Sequence, residues 1–303
     1  MSAKVFISCG QNSPEERVVA QELSEWFEAE GYTPYVAVAV QTILDLNTGI
    51  IGELRTSDYY LFINFRREEV TSSNGEISWR GSLYTNEELA IAYAIGFEHM
   101  LLLNQREARR EGVFGFIVSN IPEFEDFDKV LPLVQEAVDK AEWDPTYTRQ
   151  LLAENLGFKG PEIFIDHTGE RHLRTLNVHI RNRRPDLGAV DCIARLARLA
   201  PPGQELQTSP DRSLLKVKGL PRFEQTIWPQ SHGTFDLLGI NADNGSEVFL
   251  NSAADVVPRH PIITAPGEYQ LEYEIFSQGF PPLNVTILLN LTGDPATATA
   301  SVS

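Results

Sequence analysis

The stretch GSLYTNEELAIAYAIG, residues 81–96, brings two adjacent glutamates to the start of a helical pattern. A carboxylate that faces a cleft can stabilise or trap the positively charged sugar carbon formed when an N-glycosidic bond breaks, as the carboxylates of glycosidases do. Glu88 is the candidate for this role. A structural role is the alternative, because Thr85 and Glu88 match a capping box, in which each side chain bonds the backbone amide of the other residue.

Side chains suited to holding a nucleotide are expected around this glutamate. The loop SCGQNS, residues 8–13, is small and polar, and aromatic residues occur just before and at the start of the helix. Polar groups would contact ribose or phosphate and the rings would stack on a base, whereas an ordinary polar turn and aromatic packing are the structural alternatives. The predicted substrate-binding residues are Ser8, Cys9, Gly10, Gln11, Asn12, Trp79 and Tyr84.

The histidines and cysteines do not follow a metal-binding pattern. The six histidines are scattered, and the two cysteines, Cys9 and Cys192, are far apart in the chain. His167 and His172 flank a predicted hairpin turn without a third ligand. Because the sequence also lacks the glycine-rich motifs that bind nucleotide cofactors, we expect neither a metal nor a resident cofactor.

Length, composition and charge restrict the class of protein. A chain of 303 residues suggests two domains, and no apolar run approaches the ~18–20 residues that span a bilayer, so no membrane partner is expected. Two cysteines and a start, MSAKVFIS, without the features of a secretory signal predict a cytoplasmic location. The net charge is −17, and residues 1–150 carry 25 acidic against 12 basic side chains. Such a surface repels phosphate backbones, so no nucleic-acid partner is expected.

The first half of the chain alternates apolar runs with helical patterns. This alternation predicts a flavodoxin-like α/β fold with five parallel strands, covered by helices on both faces. In such folds ligands bind beyond the carboxyl ends of the strands, where the strand order reverses, and Glu88 should lie at that edge. The polar residues 66–81 are predicted to form a long loop. The predicted strands are 4–8, 33–40, 58–65, 99–105 and 112–119, and the predicted helices are 13–31, 42–57, 81–96 and 127–143.

The second half changes to short alternating runs separated by turn residues. Seven or eight such strands, including VDCIARLARL, predict an all-β immunoglobulin-like sandwich. The predicted division of the chain is an α/β domain over 1–143, a linker over 144–161 and a β-sandwich over 162–303.

Three segments of the first half resemble the landmark segments of the TIR (Toll/interleukin-1 receptor) domain: residues 4–8, 57–65 and 82–93. The family pattern near the third helix is roughly S-x-W-x-x-x-E-L-x-x-A. This sequence matches it with Ser82, Tyr84, Glu88, Leu89 and Ala92, where tyrosine replaces the usual tryptophan. The resemblance covers roughly residues 3–142. It implies that Glu88 is the catalytic residue of an NAD+ glycohydrolase or cyclase, with NAD+ as substrate, and that the protein forms homo-oligomers.

The same stretch is also similar to the nucleoside 2-deoxyribosyltransferase superfamily, in which a glutamate entering a G-x-x-x-E-L-x-x-A helix is the nucleophile. Three functions therefore stay open. The first is a bacterial-type TIR-like enzyme of antiviral defence, whose sandwich controls assembly or senses a trigger. The second is a non-catalytic interaction module, in which the TIR-like domain associates with other TIR domains and the sandwich binds a protein or a ligand. The third is a nucleoside or nucleotide N-glycosidase of the deoxyribosyltransferase type.

Overall fold

The computed structural model of the protein describes residues 2–37, 49–71, 75, 77–117, 120–166, 169–209, 211, 213–220, 222–252 and 260–303. The chain divides into two compact units, Met1–Arg149 and Gln150–Ser303. Within the described residues, no helix is both long and apolar enough to cross a membrane.

The first unit contains a sheet of five parallel strands in the order β2-β1-β3-β6-β7, which confirms the predicted parallel sheet. The chain adds β2 on one side of β1 and β3 on the other, so the strand order reverses at β1. A separate antiparallel hairpin is formed by β4 and β5. The strands are β1 Lys4–Cys9, β2 Thr33–Val36, β3 Tyr59–Asn64, β4 Glu68–Thr71, β5 Ile77–Arg80, β6 Met100–Gln105 and β7 Glu123–Phe124.

Helices cover both faces of this sheet. Alternate residues of β1 point to opposite faces, so Val5 and Ile7 join one hydrophobic cluster while Phe6 joins another that includes Leu89. Burial on both faces explains why the strand sequences are continuously apolar. The helices are α1 Pro14–Ala29, α2 Ile51–Thr56, α3 Leu83–Ala94, α4 Val113–Phe116 and α5 Val130–Lys140.

The start of α1 agrees with its sequence signals. Ser13 is the N-cap, Pro14 occupies the first turn, and Glu16 completes a capping box with Ser13. The predicted helix 42–57 is described only from residue 49 onwards, where it gives α2, and residues 38–40 of the predicted second strand lie outside the described residues.

Two segments differ from the prediction. Residues 66–81, predicted as a loop, contain the hairpin of β4 and β5. Residues 112–119, predicted as the fifth strand, instead form the short helix α4 as far as residue 116, and residues 118–119 lie outside the described residues. The fifth strand of the sheet is β7, which follows this segment.

The end of the first unit is fixed to its sheet rather than free. Trp143 stacks on Tyr59 with ring centroids 4.2 Å apart. Asp58 accepts hydrogen bonds from the backbone amides of Lys4 and Arg149, both at 2.9 Å, and from the Thr148 hydroxyl at 3.1 Å. The next strand begins at Leu151. The segment predicted as a linker, residues 144–161, is thus divided: residues as far as Arg149 belong to the first unit, and residues from Leu151 onwards belong to β8.

The second unit is built from antiparallel strands, and its described residues contain no helix. One sheet has the order β11-β10-β15-β16-β17, with β12 also paired to β10, and the other has the order β14-β13-β9-β8. Buried residues from both sheets belong to one hydrophobic cluster. VDCIARLARL forms most of β10, as predicted. The strands are β8 Leu151–Asp166, β9 Gly169–Asn182, β10 Ala189–Ala200, β11 Gln207–Thr208, β12 Gln225–Ile227, β13 His232–Asn241, β14 Val248–Leu250, β15 Gly267–Gln278, β16 Leu283–Leu291 and β17 Thr299–Val302.

Candidate functional site

Helix α3 begins one turn earlier than the capping-box pattern predicts. Ser82 is the N-cap, and its side chain accepts from the backbone amide of Thr85 at 3.5 Å. The Thr85 hydroxyl donates to the carbonyl oxygen of Ser82 at 3.1 Å. The capping box between Thr85 and Glu88, which was the structural alternative, is therefore not formed, and the Glu88 carboxylate does not bond the start of its own helix.

The Glu88 carboxylate instead faces β1, the strand at which the strand order reverses. The Ser8 hydroxyl donates to Glu88 Oε2 at 2.5 Å, which joins α3 to the end of β1. Ser8 is paired with Phe62 of β3, so the contact lies where the strand order reverses. Ser8 is fully buried and Glu88 is 7 % exposed. Within the described part of the chain, the hydrogen bond to the Glu88 carboxylate is made to Oε2 and none is made to Oε1.

Burial changes the acidity of this carboxyl group. Removal from water raises the pKa of Glu88 to about 7, the hydrogen bond from Ser8 opposes this rise, and the neighbouring charge of Glu87 adds to it. The side chain is consequently present in both protonation states near neutral pH. A raised pKa in a buried carboxyl group, at the edge where open α/β sheets bind ligands, is typical of catalytic residues.

Two tyrosines that the sequence analysis did not identify lie near Glu88. Tyr60 of β3 is fully buried, and burial and the charge of Glu88 together raise the pKa of its hydroxyl. Tyr35 of β2 is half-buried, and burial, Glu53 and Glu88 raise its pKa in that order. The sequence signal for Tyr60 was its place beside Tyr59 at the start of the apolar strand YYLFIN.

Cys9 follows Ser8 but belongs to the opposite face of the sheet. Its thiol is buried in the hydrophobic cluster that contains Val5 and Ile7. Burial raises the pKa of Cys9 to about 12, and the charges of Glu88 and Glu16 contribute to the rise. The thiol is therefore protonated at neutral pH and is not a nucleophile.

The loop after β1 is held by contacts within the protein. Glu16 Oε2 accepts from the amide of Asn12 at 2.5 Å and from Arg67 at 3.1 Å. Gln11 Nε2 donates to the carbonyl oxygen of Ala37 at 2.6 Å. A Cβ at Gly10 would lie 2.7 Å from Arg67 Nη2 and 2.8 Å from Glu16 Oε2, so a larger residue there would have to displace the ends of these two side chains. Of the predicted loop residues, only Ser8 makes a hydrogen bond with Glu88.

Neither predicted aromatic residue makes a hydrogen bond or ring contact with Glu88 within the described part of the chain. Tyr84 lies in the first turn of α3 with 68 % of its surface exposed. Trp79 lies on β5, where the guanidinium of Arg66 covers its ring at 5.9 Å. The Trp79 carbonyl oxygen accepts from the amide of Arg109 at 2.7 Å, which ties the hairpin to the segment after β6.

Two asparagines position the entrance to α3. Asn64 Nδ2 donates to Asn104 Oδ1 at 2.8 Å, linking the carboxyl ends of β3 and β6. Asn104 Nδ2 in turn donates to the carbonyl oxygen of Ala108 at 3.1 Å. Gly81 packs so closely that a Cβ there would overlap Asn64 Oδ1. This pair was not predicted, since isolated asparagines at strand ends resemble ordinary loop residues.

The described residues contain no group of three or more histidine, cysteine, aspartate or glutamate side chains that could hold a metal ion. The site consists of one buried carboxyl group with hydroxyl groups around it.

Comparison with known proteins assigns no family to the chain. No protein-family model matches it, and no curated protein matches it. Among solved structures, it is similar to a β-glucosidase from Kluyveromyces marxianus in complex with glucose, at 10 % identity and a TM-score of 0.18. The match covers 82 % of this chain but only 35 % of that structure. A similarity at this level supports no conclusion about fold or function.

Proposed function

We propose that this chain is a TIR-like enzyme that cleaves the N-glycosidic bond between nicotinamide and ribose in NAD+, with Glu88 as the catalytic carboxylate. The observation that supports the proposal is the hydrogen bond from Ser8 to Glu88, at the strand end where open α/β sheets bind ligands. The strand order β2-β1-β3-β6-β7 supports a flavodoxin-like arrangement of the first unit. The two antiparallel sheets that share a core support an immunoglobulin-like sandwich in the second.

The chemistry needs an ionised carboxylate. The bond between the anomeric carbon and the nicotinamide nitrogen breaks, and nicotinamide leaves with the electron pair as a neutral base. Glu88 stabilises the positive charge that develops on the anomeric carbon. Water then adds to this carbon and loses a proton, which gives ADP-ribose. Attack by a ring nitrogen of adenine, in place of water, gives a cyclic product.

The predicted binding residues differ in how they can meet a substrate. Tyr84 is exposed one helical turn before Glu88, so its ring is free to stack on a base. Asn12 is exposed in the loop after β1 and can offer its amide to a ribose hydroxyl. The side chain of Gln11 is already bonded to Ala37, so it would have to exchange that bond for one to the substrate.

The role of the second unit follows from the function proposed for the first, since the resemblance covers only the first unit. We propose that it controls assembly or senses a trigger, that the protein works as a homo-oligomer through its TIR-like domains, and that the setting is cytoplasmic antiviral defence. A protein partner would then bind to the second unit.

The test compares the wild-type protein with Glu88→Gln, and uses Glu87→Gln as the matched control on the adjacent exposed position. Release of nicotinamide from NAD+ is measured with the protein in solution and after forced assembly on beads. We expect Glu88→Gln to lower turnover by at least about 100-fold, and Glu87→Gln to stay close to wild type. If wild-type protein leaves NAD+ intact in both forms, the proposal fails.

A non-catalytic interaction module is the second candidate, and the observation that favours it is the near-complete burial of Glu88. A buried, hydrogen-bonded carboxyl group can also serve to fix a helix against a sheet. In that case, self-association would tolerate Glu88→Gln and no NAD+ would be consumed.

Adding nucleosides to the same assay detects the third candidate, an N-glycosidase of the deoxyribosyltransferase type, through release of free base.

A further inference from the structure

Tyr60 places a buried hydroxyl on the face of β3 that lies beneath the candidate site. In the sheet, Tyr60 pairs with Phe6, and Ser8 pairs with Phe62. Residues two positions apart share a face, so Tyr60 and Ser8 are diagonal neighbours on the face that α3 covers. The Tyr60 side chain is fully buried. Its location between sheet and helix excludes direct contact with a substrate.

The Tyr60 hydroxyl makes no hydrogen bond of normal geometry with any described residue. Burial and the charge of Glu88 raise the pKa of this hydroxyl, and Ser8, its diagonal neighbour on β1, lowers it. Buried hydroxyl groups without a partner are costly, so natural proteins nearly always satisfy them. A hydrogen bond to the neighbouring Ser8 hydroxyl would satisfy this one.

The direction of hydrogen bonding follows from counting protons. An ionised Glu88 can only accept, and the Ser8 hydroxyl has a single proton, which it donates to Glu88 Oε2. The Ser8 oxygen still has lone pairs to accept with, while the Tyr60 hydroxyl is a donor without an acceptor. The arrangement that satisfies all three groups runs from Tyr60 to Ser8 to Glu88.

We propose that Tyr60 is a positioning residue for Glu88: its hydroxyl donates to Ser8 Oγ, which keeps the Ser8 proton directed at Glu88 Oε2. This chain of two hydrogen bonds holds one carboxylate oxygen against the sheet and leaves the other, Oε1, for the substrate. The importance of this positioning for catalysis rests on the proposed function, whereas the hydrogen-bonded chain itself does not.

The packing of the Tyr60 ring makes the proposal testable by removing one atom. Its ring lies 5.8 Å from that of Phe6 and 5.7 Å from that of Phe97, centroid to centroid. Tyr60→Phe keeps these ring contacts and removes only the hydroxyl. Tyr93→Phe is the matched control, because Tyr93 is an exposed tyrosine on α3 itself.

Other ionisable groups also interact electrostatically with Glu88, and the controls must allow for them. Glu87 lies on the same helix and raises the pKa of Glu88. Cys9, from β1, and Tyr35, from β2, both have pKa values that the charge of Glu88 raises, while Glu16 of α1 acts on Cys9. None of these is altered by Tyr60→Phe.

The first measurement needs no activity. Protein labelled with carbon-13 at the glutamate carboxyl carbons is titrated by NMR, and the Glu88 signal is identified by its loss in Glu88→Gln. Because the two hydrogen bonds from Tyr60 to Ser8 to Glu88 stabilise the carboxylate, we expect Tyr60→Phe to raise the pKa of Glu88 by about half a unit. Tyr93→Phe should leave this pKa unchanged. Ser8→Ala should raise the pKa of Glu88 by more than Tyr60→Phe does. The double variant should have the same Glu88 pKa as Ser8→Ala alone, since Tyr60 acts through Ser8.

The second measurement uses NAD+ cleavage. We expect Tyr60→Phe to lower kcat about three-fold or more with KM nearly unchanged, and to move the pH profile of kcat/KM towards higher pH. If the variant folds and the Glu88 titration matches wild type, the proposal is wrong. If the titration shifts as expected but wild-type protein cleaves no NAD+, the positioning role stands and the proposed function fails.

Discussion

Ser8 and Glu88 stand 80 residues apart in the chain and share a hydrogen bond of 2.5 Å in the buried face of the sheet. This contact takes the place of the bond to its own helix that the capping-box alternative would have given Glu88. The carboxyl group is stabilised by a single hydroxyl and is otherwise removed from water. Its charge is therefore a cost to folding as well as a requirement for the proposed chemistry.

The stability cost predicts a pH-dependent effect of Glu88→Gln. The folded-state pKa of Glu88, about 7, is above its ordinary value of 4.5, so the folded protein holds the proton more tightly than the unfolded chain. This stabilisation is fully present below pH 4.5 and is lost as the pH rises to about 7. We expect Glu88→Gln to raise the free energy of unfolding at pH 8 by up to about 3 kcal/mol, and by much less at pH 5. Urea unfolding at both pH values measures the difference, and an equal effect at each would contradict it.

The same titration predicts the pH profile of activity. Because the proposed reaction needs the ionised carboxylate, we expect kcat/KM for NAD+ to rise with pH through about 7 and then level off. Cys9, whose pKa is about 12, would not contribute to this profile. Initial rates between pH 5 and pH 9 provide the measurement. A profile that falls as the pH rises through 7 would show that Glu88 acts as an acid.

The close approach at Gly81 predicts a large effect from one added methyl group. A Cβ at this position overlaps Asn64 Oδ1, so Gly81→Ala must displace Asn64 and its bond to Asn104. We expect a loss of about 1–3 kcal/mol in the free energy of unfolding. Gly52→Ala is the control, since a Cβ there meets no atom within 4 Å and alanine favours the helix. Gly52→Ala should be neutral or slightly stabilising, and similar effects of the two variants would contradict the prediction.

The anchored end of the first unit predicts resistance to protease. Arg149 is buried, and its amide is bonded to Asp58, so trypsin should not cut the native protein after this residue. Asp58→Ala removes the acceptor of three hydrogen bonds, and we expect it to cost about 2–4 kcal/mol and to make the site cleavable. Asp128→Ala, at an exposed aspartate, should leave digestion unchanged. Rapid cleavage of wild type after Arg149 would favour a flexible linker instead.

Sequence patterns predicted the parts of the fold that depend on burial along the whole element. Apolar runs such as YYLFIN and the capped start of α1 carry strong local signals, so the parallel sheet and its helices follow from them. Short apolar runs carry weaker signals. Residues 112–119 fit a strand or a helix equally well by periodicity, and only the competing pairing of β7 with β6 settles which residues enter the sheet.

The missed features of the site are tertiary contacts between distant residues. Ser82 and Thr85 are both good N-cap residues, and nothing local says which of them begins α3. The choice of Ser82 leaves Glu88 facing Ser8, a contact that exists only because β1 lies beneath the helix. The hairpin of β4 and β5 did have a local signal, the Asn-Gly pair in TSSNGEIS, which is a strong hairpin marker.

The burial of both cysteines has a practical consequence for spectroscopy. Cys9 and Cys192 are the two cysteines of the chain, and burial raises the pKa of each thiol to about 12. Thiol-directed dyes and spin labels will therefore react slowly with the native protein. A cysteine introduced by Tyr84→Cys, at an exposed position one turn from Glu88, would carry the label almost exclusively. The two native cysteines would thus contribute little label, so that the fluorescence would report on changes at the first turn of α3.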